Sequence, residues 1–432
     1  MGIPSLLVGI VALIAALWLG ATNAEIYNHL LHSYLTAYCF FLAITIGSIL
    51  FILIEYATRS AWSVTVRRLA EGISQNIFLL IILFIPILIN DHKMLGWLEP
   101  GIVQNDTALT LKSGYLNPTF LYLRLAAYFL LFAFTARYYH ARSTQQDITG
   151  DPRITTHLEH LSFPLIILTA LALTGFAFDW IKSLNPHWFS TIFGVYFFAG
   201  AMLAAISAIT LLALILQIRS SRCSVLSTAI NQNHYHDLAK WIFAYTIFWA
   251  YIAFSQYLLI WYANIPEETQ FYIPRQIDIW ASVSLLLLAV HFVIPFLGLL
   301  ARRAKRKSTV IAFWAIWSLL ACALDIFYLV MPNAWSRDIS RTVNPANPHA
   351  PLTDSLPILL DRHNVHALRP EFNAFYHQIR FPFEPLNLLI TALCFIGIGG
   401  LFICFTLYSL KGKPLVPTQD PRLKESLAYE NA

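Results

Sequence analysis

Long apolar runs, each interrupted by only an occasional polar residue, alternate with short polar connections along the whole chain. Ten runs are long enough to cross a hydrocarbon core of about 30 Å at about 1.5 Å per residue. They are 3–20, 34–56, 69–90, 117–139, 161–180, 189–218, 238–264, 277–300, 309–331 and 386–410. Only helices and closed barrels satisfy their backbone in lipid, and these runs are too long and too uniformly apolar for barrel strands. The pattern predicts an all-α polytopic membrane protein with ten transmembrane helices. The first run lacks a basic segment before it and exceeds the usual signal-peptide core of about 7–15 residues. It is therefore read as a helix.

Composition agrees. Of 432 residues, 58% are apolar or aromatic and 12% are charged, against about 25% charged in soluble domains. That is too few charges for a water-facing skin. In a soluble chain the net charge of +5 would raise the question of nucleic acid; here it reflects topology. Counted with the adjoining span ends, the connections after spans 2, 4, 6 and 8 and the tail after span 10 hold 18 Lys and Arg. The short connections on the other side hold 4. Basic residues favour the cytoplasm, so both termini are expected there and the long 332–385 segment outside. The cluster Arg302, Arg303, Lys305, Arg306, Lys307 reads as a face for lipid headgroups.

Cysteines at 39, 223, 322, 394 and 404 form no CxxC, CxxCH or ferredoxin-type run, so neither an iron–sulfur cluster nor a c-type haem is expected on this chain. Haem b in a bundle wants histidines on facing helices, and only His291 lies well inside a span. The segment 332–385 carries eight prolines and four histidines. It is expected to be an irregular docking element, with Trp335, Phe372, Phe375 and Tyr376 as aromatic anchors.

A shift of 157 residues lays Ser33, Phe40, Phe41 and Ile49 on Ser190, Phe197, Phe198 and Ile206, with Ala37 on Gly194 and Gly47 on Ala204. Spans 2–5 would then repeat as spans 6–9 in the same orientation.

Ionisable groups at membrane depth cost several kcal/mol, so they pair or line wet cavities. Arg124, Asp179 and Asp325 lie towards the outer side, with Gln256. Glu55, Glu71, His160, Lys240 and, deepest, His291 lie towards the cytoplasm. Structural pairing accounts for part of this set. Arg124 has Asp325 or Asp179 as possible partners, Glu55 has Arg59 at i+4, and Glu71 has Arg68 and Arg67 behind it. His291 and Asp325 have no counter-charge in their own helices. They are the expected inner ends of two polar half-channels, with Glu55, Glu71 and His160 on one side and Asp179 and Arg124 on the other.

Four runs, SAWSVTVRRLAE (60–71), KWIFAYTIFWAYIAFSQYLLIWYANIPEET (240–269), HFVIPFLGLLARRAKR (291–306) and LDIFYLVMP (324–332), resemble the F-type membrane subunit of bacterial alternative complex III. That family is a branch of the polysulfide-reductase-type (NrfD-like) membrane proteins. The resemblance covers spans 2–9. It implies two four-helix bundles, 31–180 and 189–331, flanked by spans 1 and 10, with a periplasmic 332–385 loop and a cytoplasmic 411–432 tail in the inner membrane. It also implies membership of a quinol:cytochrome c (or terminal oxidase) oxidoreductase. Expected partners are a related C-type membrane subunit, a B-type iron–sulfur subunit and c-type haem subunits, with no redox centre on this chain. Quinone binding is possible but has no assigned residues: Gln256 stands where related quinol-site proteins often carry an acid. Two other readings stay open, a quinol-binding anchor passing electrons to an iron–sulfur partner and a stand-alone secondary transporter.

Overall fold

The computed structural model describes residues 2–99, 101–219, 228–334 and 380–430. Among them, ten helices are long and apolar enough to cross a membrane. They are α1 (Gly2–Gly20), α2 (Ala24–Ala57), α3 (Val64–Ile89), α4 (Pro118–Thr149), α5 (Arg153–Leu184), α6 (Phe193–Arg219), α7 (Gln232–Ala263), α8 (Ile279–Leu300), α9 (Ser308–Ala334) and α10 (Pro385–Leu410). The chain is an all-α polytopic membrane protein. The anchors Trp335, Phe372, Phe375 and Tyr376 lie outside the described residues.

All ten expected spans are present, and several helices outrun them. α2 begins ten residues before its apolar run, and α4 ends ten residues after its own. A hydropathy window stops at the first polar turn, whereas the helix stops at its cap. The Asn23 side chain accepts from the Ile26 N–H at the start of α2. Asn117 does the same for Phe120 ahead of Pro118 in α4, which ends at Gly150 with φ +65°. Asn231 and His234 form a capping box at the start of α7, satisfying donors that would otherwise be orphaned.

Helices α2, α3, α4 and α5 close one four-membered ring, each packed on the next and α5 back on α2. Helices α6, α7, α8 and α9 close a second. The rings meet where α2 packs on α6, and α1 pairs with α10 alongside α2. α1 and α10 are antiparallel: Gly9 sits against Gly397 and Gly400, and Leu13 against Gly397. Both termini of the helical array therefore share one end, here the terminal face; the other is the far face.

Lipid tails are as apolar as leucine, so no hydrophobic force draws these helices together; close backbone packing does. At the ring seam a Cβ on Gly47 would lie 2.7 Å from the Ala205 Cβ and 2.8 Å from the Ala201 carbonyl carbon. Inside the first ring, Phe84 is enclosed by Tyr38, Phe129 and Trp180 at centroid distances of 5.1, 5.3 and 4.6 Å.

Candidate functional site

All four helices of the second ring contribute to a buried cluster. Asp325 on α9 is 3% exposed. Tyr196 on α6 donates its hydroxyl to one carboxylate oxygen, and Trp249 on α7 donates Nε1–H to the other at 3.1 Å. The far side of the Trp249 ring lies on His291 of α8, with centroids 3.6 Å apart and planes 22° from parallel. Cys322 Sγ, one turn before Asp325, is 3.7 Å from His291 Nε2. Among the described residues no cationic side chain forms an ion pair with Asp325; both its oxygens are held by neutral donors.

The position of His291 follows from its local sequence. Pro295 has no N–H to return to the His291 carbonyl, which an α-helix would require. The chain widens into a π-turn over Ala289–Val293, centred on His291. Such turns recur at functional sites. The indole N–H of Trp317 reaches the Val290 carbonyl at 2.7 Å.

A cavity of about 530 Å³ lies against this cluster, towards the far face. Tyr196 and Trp249 line it, so Asp325 is one hydrogen bond away from its wall. Polar atoms gather at one end. Gln256 accepts from Ser190 and donates to the Tyr272 hydroxyl, each at 3.2 Å. Ser284 and Tyr328 hydroxyls are 3.2 Å apart. Arg275, in the α7–α8 connection, is 1% exposed. It donates to three backbone carbonyls, of Phe271, Tyr328 and Leu329, and its guanidinium lies 3.7 Å over the Phe271 ring. No carboxylate among the described residues pairs with it. Burial pulls it down to about 10, leaving it charged at neutral pH.

The sequence-predicted residues fall into separate places. His291 and Asp325, expected on opposite sides of the membrane centre, are brought together around Trp249. Arg124 makes a two-pronged pair with Asp179, Nε to Oδ2 and Nη2 to Oδ1 both at 2.9 Å, which decides between its two candidate partners. Glu71 is fully buried beside Arg68 Nε at 3.0 Å. Its neighbouring histidine is His140, Nδ1 at 3.6 Å, while His160 is exposed. Glu55 is 2% exposed and does not pair with Arg59, which reaches Glu159 at 3.2 Å.

Sequence reasoning missed Tyr196, Trp249, His140 and Arg275 as site residues. The first two are single aromatics in a chain full of them. Arg275 carries a signal, a lone arginine in a short far-face connection, but a count of basic residues for topology passes over it.

No protein-family model and no curated protein matches this chain.

Proposed function

We propose that this chain is a membrane subunit of a respiratory quinol:cytochrome c (or terminal oxidase) oxidoreductase, moving protons through its polar interior and carrying no redox centre of its own. The reading joins the motif resemblance over spans 2–9 to one observation: a buried carboxylate held only by neutral donors, separated from a buried histidine by one indole ring. A carboxylate locked to arginine, as Asp179 is, is held in place by that partner. Asp325 has no such lock, and a buried imidazole lies against the same indole that holds it. His291 and Asp325 are assigned the inner ends of the two half-channels. Glu71, with His140, and Glu55 stand on the terminal-face side. Arg124 holds Asp179 in place through two hydrogen bonds and carries no proton itself. In this reading the terminal face is cytoplasmic, the membrane is the bacterial inner membrane, and the partners are a related C-type membrane subunit, a B-type iron–sulfur subunit and c-type haem subunits.

The test is quinol-driven proton release and uptake in reconstituted complex carrying His291→Phe or Asp325→Asn. The expected result is a lower proton-to-electron ratio with assembly and electron transfer retained. Wild-type stoichiometry in both variants would make these residues structural. Purification as a stable single protein, with no haem or iron–sulfur partner, would remove the respiratory reading and leave the transporter one.

A further inference from the structure

The cavity of the second ring has a defined access side. Phe254, Tyr257, Leu285 and Leu288 belong to its lining and are also 61, 38, 69 and 51% exposed on the outer surface of α7 and α8. In a chain that spans lipid, that surface faces acyl chains, so an occupant enters sideways from the bilayer. Its volume lies within the range of ordinary small-molecule sites, about 300–1,000 Å³.

The inner end selects among lipid-soluble occupants. The Tyr196, Trp249, Phe271 and Tyr272 rings supply flat walls suited to a planar ring. The polar groups include hydroxyls, the amides of Gln256 and Gln276, and a guanidinium. Arg275 is the decisive one. It is buried with no carboxylate partner among the described residues, and three of its five N–H groups are spent on backbone carbonyls. A buried cation without a counter-charge is costly, and electron-rich oxygen on a ligand would offset that cost. A cationic ligand would raise it. An acyl chain would bring no such oxygen.

We infer that this cavity binds the head of a lipid-soluble quinone-class molecule, with a ring oxygen towards Arg275 and the Gln256–Tyr272 pair and the tail leaving between Phe254 and Leu288. The identity of the ring rests on the respiratory reading above; the existence of the site does not. The occupied ring would lie on the cavity side of Tyr196 and Trp249, the two residues that hold Asp325.

The experiment uses native membranes containing the full chain, illuminated with an azido-substituted decylbenzoquinone and, separately, with an azido-naphthoquinone. Label is expected on peptides covering 249–257 and 271–288, displaced by excess unlabelled quinone of the same ring type and unaffected by added phospholipid. Ala253→Trp, which fills the cavity, is expected to lower labelling at least tenfold. Ser284→Ala, a smaller change at the polar end that deletes the hydroxyl beside Tyr328, is expected to lower it severalfold with folded protein retained. Label spread over lipid-exposed helices such as α1, or insensitive to both substitutions, or displaced by phospholipid, overturns the inference. The two readings separate cleanly. Site-specific label on a chain that purifies without haem or iron–sulfur partners keeps the site and removes the respiratory reading. Co-purifying partners without site-specific label do the reverse.

Discussion

Trp249 covers His291 with its ring face and reaches Asp325 with its ring edge, so one side chain contacts both groups. The two contacts are separable by chemistry. Trp249→Phe keeps a ring over the imidazole but deletes the N–H to Asp325. A hydrogen bond to a charged group contributes about 1.5–3 kcal/mol, so Trp249→Phe is expected to destabilise the protein by about that amount. In an Asp325→Asn background the loss should shrink. A double-mutant cycle by thermal unfolding in detergent reads the coupling, expected above about 0.5 kcal/mol. Strict additivity would mean that the indole donor contributes nothing to holding the carboxylate.

The α2–α6 seam predicts intolerance at Gly47. Any Cβ there meets backbone and the Ala205 methyl inside contact distance, and neither can swing away. Gly47→Val should cost about 1–3 kcal/mol or more through overpacking, read as lower yield of folded protein and a lower Tm. Gly114→Ala is the control, since no atom lies within 4 Å of a Cβ at that position.

The C-terminal tail is bound, not loose. Asp420 pairs with the buried Arg67, Arg422 with Glu159 at 2.8 Å, and the Thr418 N–H with Asp147 at 2.9 Å. Asp420→Ala leaves a buried guanidinium without its anion and should cost about 3–5 kcal/mol. Arg67→Met combined with Asp420→Leu should recover most of that loss. Trypsin cutting near Lys424 should quicken in the single variant and not in the double.

Arg124 and Asp179 test positioning against transport. Arg124→Lys keeps the charge but not the two-pronged geometry, and should lower the Tm. Arg124→Met with Asp179→Leu should fold better than either single change. If the pair only holds structure, the double variant keeps wild-type proton stoichiometry; a fall in stoichiometry with normal assembly places Asp179 in the path.

One exposed pair gives a pH signature. The hydrogen bond from Arg380 holds Asp278, ahead of α8, below the usual carboxylate range. A depressed carboxyl contributes stability above its unfolded value near 3.9 and loses it as pH falls through the folded value. Arg380 is 59% exposed, so the contribution is under about 1 kcal/mol. Asp278→Asn should therefore lower the Tm slightly at pH 7, and the difference should shrink as the pH falls below the unfolded carboxyl value.

The ten spans, their order and the all-α class were legible in the sequence, because crossing lipid demands about twenty apolar residues whatever the neighbours are. The pairing of Glu71 with Arg68 was legible too, since i,i+3 residues share a helix face. Which side of each helix turns inward was not. In water, the apolar stripe of a helix names its buried face. Here both the lipid side and the protein side are apolar, and α2 and α6 carry almost the same residues all round. Tertiary packing alone therefore chose Asp179 over Asp325 for Arg124 and set His140 beside Glu71. It also brought Tyr196, Trp249, His291 and Asp325 from four helices to one point, a convergence that no spacing along the chain announces.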